Sequence, residues 1–185
     1  MRLQRVLAVG LASILATALY GCGGIPEPVP EPSFYRSMAQ PGAQLDSAAA
    51  ASMISGYRSN NGLGPVAVDP VLTRIAEQQA LAMARRDKLD HNAGGPFAQR
   101  MKSAGYAYKA GAENIGAGYH TLAEAFSGWR DSPPHRANML RKGVTQMGIA
   151  AVYDPNTKYK VFWALIVAAP ADNAAELTSS QMIVR

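Results

Sequence analysis

Residues 128–140 read GWRDSPPHRANML, and the way this stretch folds decides the architecture around it. Leu122, Ala125, Phe126 and Trp129 recur at the i, i+3, i+4, i+7 spacing of a helix with one apolar face, which makes Trp129 a core residue first. Thr121 with Glu124 three residues later forms a capping box at the start of that helix. Ser132-Pro133 then restarts the chain, because serine is a favoured N-cap and proline is tolerated at the first helical position. The spacing predicts a short second helix over residues 134–140. The segment is therefore a helix, a rigid corner and another helix, with His135 directly behind the corner.

Upstream, residues 112–118 (AENIGAG) read as a short strand of small residues that other backbone can approach closely. Residues 96–103 suit a short helix. Asp69-Pro70 is an N-cap followed by an N1 proline, and Leu72, Ile75, Ala76, Ala80 and Met83 form one stripe of a longer helix ending near Lys88. Residues 44–59 carry Leu45, Ala48, Ala49, Met53 and Tyr57 near helical spacing before SNNGLGP breaks the pattern. Downstream, residues 146–153 and 160–168 are apolar and β-rich on either side of a DPNTK turn, the pattern of two antiparallel strands. The 185 residues suit one core, and no internal repeat or second domain is evident.

The N-terminus carries an address. Arg2 and Arg5 precede an apolar run over residues 6–20, too short to span a bilayer comfortably, so residues 1–21 read as an export signal. Leu19-Tyr20-Gly21-Cys22 resembles a bacterial lipobox, which implies that Cys22 becomes the acylated first residue and ties the protein to a membrane. By resemblance to Gram-negative lipoproteins, Gly23 favours the outer membrane. The next ten residues, GGIPEPVPEP, hold four prolines and suit an extended, semi-rigid spacer. The expected division is signal 1–21, lipidated linker 22–40, folded domain 41–170 beginning near Gln40 to Gln44, and tail 171–185.

Cys22 is the single cysteine, so once it is lipidated no thiol is left for a disulfide, a CxxC metal site or a nucleophile. Losing Arg2 and Arg5 with the signal lowers the formal charge from +5 to +3. The remaining basic residues are interspersed with acidic ones, which suits a solvated surface mildly attractive to anionic lipids or wall polymers. Nucleic acid is excluded for an anchored chain without a basic stripe and interleaved aromatics.

His91, Glu113 and His135 stand apart chemically, since imidazole titrates nearest neutrality and serves as base, relay or ligand. Each has a plainer reading. His91 follows a helix end, where a cation favours the dipole. His135 lies in the first turn of its helix and is able to bond local backbone. A carboxylate on a buried strand, such as Glu113, requires partners.

The ordered series His91, Ala112-Glu113-Asn114-Ile115, Trp129, Ser132-Pro133-Pro134-His135-Arg136-Ala137-Asn138-Met139-Leu140 and Met147-Gly148-Ile149-Ala150 resembles the CAP superfamily. That family comprises cysteine-rich secretory proteins, insect antigen 5 and plant pathogenesis-related proteins, and its domain is also called SCP. The resemblance runs from about Leu45 to Val167. It implies an α+β fold, a three-layer α-β-α sandwich with a small antiparallel sheet between helices.

Eukaryotic members hold two histidines and two acids in a surface cleft, and some bind a divalent metal there. By that resemblance His91 takes the place of the first histidine and Glu113 that of the first acid. The second acid would fall near Ser132, with Asp131 beside it, and the second histidine near Gly143, so neither position keeps its side chain. His135 is the candidate replacement. The expected cleft is His91, Glu113, His135 and Asp131, with His91, Glu113 and His135 as the candidate ligands of a divalent ion such as zinc, although no HExxH supports one.

Three functions follow: a binding module for an apolar or cell-envelope ligand, the preferred expectation; a hydrolase with His135 or His91 as base and Glu113 as its orienting acid; or a purely structural polar trio. Ser132 is expected to spend its hydroxyl on capping, which argues against it as a nucleophile.

Overall fold

The computed structural model describes residues 31–172; the export signal, Cys22, the linker up to residue 30 and the tail from residue 173 lie outside the described residues. Among the described residues five α-helices and four strands follow in the order α1 Ser47–Ser59, β1 Ala67–Val68, α2 Pro70–Arg86, α3 Phe97–Ser103, β2 Tyr108–Ala117, α4 Leu122–Asp131, α5 Pro133–Met139, β3 Gln146–Tyr153 and β4 Val161–Pro170. The helix starts obey the expected chemistry. Asp69 accepts from the Val71 and Leu72 amides at 2.8 and 2.9 Å with Pro70 in the first turn, and Thr121 and Glu124 close a reciprocal capping box at α4.

The sheet runs β1-β3-β4-β2. β3, β4 and β2 are antiparallel, while β1 pairs in parallel with β3, so the sheet is mixed rather than antiparallel throughout. A two-residue strand carries too little periodicity to be read from sequence. β4 is buried along almost its whole length and alternates strictly between two cores. Val161, Trp163, Leu165 and Val167 face α1, α4 and α5, whereas Phe162, Ala164, Ile166 and Ala168 face α2. That alternation makes the three layers.

α2 lies hard against β3 at Gly148, where a Cβ would fall among the backbone atoms of Leu72 and Thr73. On the other face, Arg58 is buried without a carboxylate. Its guanidinium donates to the carbonyls of Gly64 (2.8 Å), Met139 (2.8 Å), Arg141 (3.0 Å) and Val144 (3.1 Å). It thereby takes up carbonyls at the C-terminal end of α5, which would otherwise be orphaned, and burial pushes its pKa down. Packing also begins earlier than expected: Ser33–Tyr35 forms a turn of 3-10 helix, and Met38 is buried with its amide on the His120 carbonyl at 2.6 Å.

The free edge of β2 is covered by the helix-corner-helix of residues 122–140. Trp129 Nε1 donates to the Ile115 carbonyl at 3.0 Å and Asn138 Nδ2 to the Glu113 carbonyl at 3.1 Å. These two acceptors are two residues apart and so point the same way from the strand. An uncovered edge invites pairing with another chain; here one side chain on each arm of the corner caps it. Replacing Gly148 with alanine forces α2 off β3, and urea denaturation should show a loss of about 3 kcal/mol of stability.

Candidate functional site

The site is built on the covered edge of β2. Glu113 pairs with Ile166 and projects to the α2 face, and Asn114 pairs with Leu165 and projects to the α5 face. Consecutive strand residues thus serve opposite sides of the sheet.

On the α2 face the Glu113 carboxylate is only 4% exposed and has two partners. Oε2 accepts from Arg100 Nη2 at 2.6 Å, and Oε1 lies 2.8 Å from His91 Nδ1. Arg100 is equally buried, and its Nε donates to the Gly95 carbonyl at 3.0 Å. His91 sits in the loop between α2 and α3, with its side chain 54% exposed. It does not cap α2, whose C-cap is Asp87 in a left-handed conformation. The loop is instead pinned from below by the fully buried Gln79. Its Nε2 donates to the carbonyls of Asp90 and His91 at 2.8 and 3.1 Å, and its Oε1 accepts from the Gly94 amide at 2.9 Å. Gly95 at φ +97° turns the chain into α3, a conformation glycine reaches without steric cost.

On the α5 face Asn114 Nδ2 donates to the His135 carbonyl at 2.9 Å, and Asn138 Nδ2 donates to Asn114 Oδ1 at 2.9 Å. The His135 ring meets Ser132 Oγ through Nδ1 at 2.9 Å. Contrary to expectation, that hydroxyl makes no cap bond to the α5 backbone; it orients the ring instead. Burial first, and then the neighbouring His91, hold the His135 pKa below its ordinary value. The two imidazoles therefore lie within each other's field, one from each side of the sheet edge. With each Nδ1 engaged, both Nε2 atoms are left without a protein partner among the described residues.

The expected acid Asp131 takes no part in these bonds. Its side chain is 67% exposed and turned onto Arg130 at 2.8 Å, which lowers its pKa. The candidate metal ligands do not fit a metal either. A guanidinium already neutralises Glu113 from contact distance, and among the described residues no group of three His, Cys, Asp or Glu side chains is placed to hold an ion. Gly143, where the family's second histidine would fall, has φ +79°, a backbone state that a histidine adopts only with strain.

Arg100, Asn114, Asn138 and Gln79 were not singled out from sequence. Arg100 left one signal: it shares a helical stripe with Phe97 and Met101, an odd place for a cation unless an acid waits opposite.

A family model described as CAP, the cysteine-rich secretory protein family, matches residues 51–167. The chain belongs to the CAP family. It is 35% identical over 98 residues to the protein YkwD of Bacillus subtilis (strain 168), a match spanning 51% of this chain and 38% of that protein. It therefore covers well under half of that relative's length.

Among solved structures, an outer surface protein of Borrelia burgdorferi superposes with a TM-score of 0.62 at 16% identity, covering 68% of this chain and 93% of that one. An extracellular SCP-domain protein from Bacillus anthracis str. Ames gives 0.59 at 22% identity, covering 66% and 39%. At such identities these likenesses establish the CAP fold, and the layers described above are those of that fold.

Two outcomes are expected. Glu113→Gln leaves Arg100 buried without its anion, and chemical denaturation should register a loss of about 3 kcal/mol or more. His135 binds a proton less readily folded than unfolded. Its contribution to stability is therefore complete above the ordinary imidazole value of 6.5 and declines as pH falls from there through the lowered folded value. In His135→Gln that portion of the stability-pH curve should flatten, and NMR titration of the His135 ring in the parent protein should place its midpoint below the ordinary value.

Proposed function

We propose that this protein is an exported, lipid-anchored binding module that holds a polar group of a cell-envelope ligand between the imidazoles of His91 and His135. The observation carrying this reading is that each ring is fixed through Nδ1, one by Glu113 and one by Ser132, with Nε2 left over on each. A pre-set pair of ring nitrogens is suited to orienting one polar group, and pre-setting removes part of the ordering cost of binding. The neutral state of His135, favoured by burial and by His91, lets its Nε2 donate or accept according to tautomer.

Export and anchoring rest on the charged and apolar N-terminus and on Cys22, whose acylation would hold the domain at a membrane through its proline-rich spacer. In agreement with that placement, the two superposed relatives are described as extracellular and outer-surface proteins, and no helix among the described residues is long and apolar enough to cross a membrane. Glu113 belongs to the scaffold in this reading: with both oxygens engaged, it orients His91 and leaves ligand contact to the rings.

A hydrolase is the second reading, favoured by one observation: the Ser132 hydroxyl faces an imidazole rather than capping its helix. A nucleophilic serine would react with a fluorophosphonate probe in a His135-dependent manner, which a binding module would not do.

For the binding reading, purified protein is mixed with an envelope extract, washed and analysed by mass spectrometry for retained lipid or wall fragments. The double variant His91→Ala/His135→Ala should keep the parent circular dichroism spectrum and lose most of the retained material. Equal retention by parent and variant would remove the cleft from the account.

A further inference from the structure

A separate cavity of about 360 Å³ lies between α2, the loop carrying His91, and α3. Arg74 and Gln78 of α2, Gln99 and Arg100 of α3, and the backbone of Gly94 and Gly95 contribute to its wall. None of its lining residues is an aspartate or glutamate; Arg74 and Arg100 both line it, and the Arg100 guanidinium is at the same time paired with Glu113. Among the described residues Arg74 makes no ion pair.

Arg100 supplies the second observation. Its Nε and Nη2 are satisfied by Gly95, Glu113 and the His91 carbonyl, but Nη1 is buried with no hydrogen-bond partner among the described residues. A buried donor left unmet costs on the order of 1–3 kcal/mol, more when charged, so an acceptor arriving at this side chain would be bound favourably. The glycine wall is also needed as it stands. A Cβ at Gly94 would press on Gln79 Oε1 at 2.9 Å and on Arg100 Cδ at 3.3 Å, and at Gly95 the backbone is left-handed.

We propose that this cavity binds an oxyanion group, a carboxylate or a phosphate, between Arg74 and Arg100, and that Arg100 relays its occupancy to His91. Guanidinium groups suit such oxygens because their planar donors match the geometry of carboxylate and phosphate. The volume falls at the small end of the roughly 300–1,000 Å³ usual for ligand pockets, which fits a small molecule or a single headgroup. The relay is short. An anion drawing on Arg100 shares the guanidinium that holds Glu113 Oε2, and Glu113 Oε1 holds the His91 ring. The site itself stands independently of the ligand proposed for the histidine cleft.

The test is an NMR titration of the isotope-labelled protein with inorganic phosphate, exchanged against chloride at constant ionic strength. Saturable shifts are expected at the Arg100 Nε–H and at the Gly94 and Gly95 amides, with the His91 ring moving on the same binding curve. Arg74→Gln, a substitution at an exposed position that should leave the fold intact, should weaken the phosphate affinity by roughly tenfold, and Arg74→Lys should restore part of it. Shifts that rise without saturating, or that saturate identically in Arg74→Gln, would overturn the site. Saturation at the glycines with a stationary His91 ring would overturn the relay.

Phosphatidylglycerol vesicles, compared with phosphatidylcholine vesicles, distinguish a headgroup source from a soluble one. Binding that free phosphate displaces supports the site with a lipid as its ligand. Saturation by free phosphate with no preference between the vesicles supports it with a soluble anion. Vesicle binding that free phosphate does not displace and Arg74→Gln does not change would overturn it in favour of general surface attraction.

Discussion

A carboxylate on a sheet edge between packed helices cannot remain ionised without a counter-charge, and the arrangement around Glu113 follows from that requirement. Arg100 meets it from α3 at 2.6 Å, and both side chains are almost wholly buried. The pair fixes more than itself. Arg100 reaches the Gly95 and His91 carbonyls on the connecting loop, and Gln79 secures the same loop from α2. His91 is thereby held against Glu113 at the lip of the cleft. Removing charge in the middle of this set leaves a buried cation stranded, which is why such pairs fix one arrangement even where their net stabilisation is small.

The other side of the edge uses neutral groups. Asn114 and Asn138 bond each other, the backbone of α5 and the strand, and Trp129 completes the cover. The proline-bounded corner of residues 128–140 is therefore a clasp over the edge of β2, with the His135 ring held on Ser132 beside it. Charge supports His91 on one face of the edge, and amides support His135 on the other. The pattern of two acids and two histidines expected by resemblance to eukaryotic members is not reproduced: Asp131 turns to Arg130, Gly143 has a left-handed backbone, and Glu113 is paired with Arg100.

Most of the fold was legible in the residues because it is locally encoded. The stripe on α2, the Asp69-Pro70 start, the capping box at Thr121 and the continuous apolar, β-rich run of β4 each express a local signal that needs no distant partner. The parallel pairing of β1 was not legible, since two residues carry no pattern and their partner lies nearly eighty positions away. The site divides in the same way. His91, Glu113 and His135 stood out by chemical type, but what each does depended on neighbours remote in sequence. Arg100 claims the carboxylate expected for a metal, and Ser132, thought to be spent on its own helix, orients a ring instead. Asp131 was selected for its place in the sequence, and a nearer cation decided its direction.

Glu113 belongs to a buried charge pair that supports the cleft. A double-mutant cycle on unfolding free energy, using Glu113→Gln, Arg100→Met and the two combined, tests this most directly. Residues in one buried network show coupling of about 0.5–3 kcal/mol, and the upper half of that range is predicted here, with the double variant more stable than the additive sum of the two losses. Additive losses, with coupling indistinguishable from zero, would contradict the account.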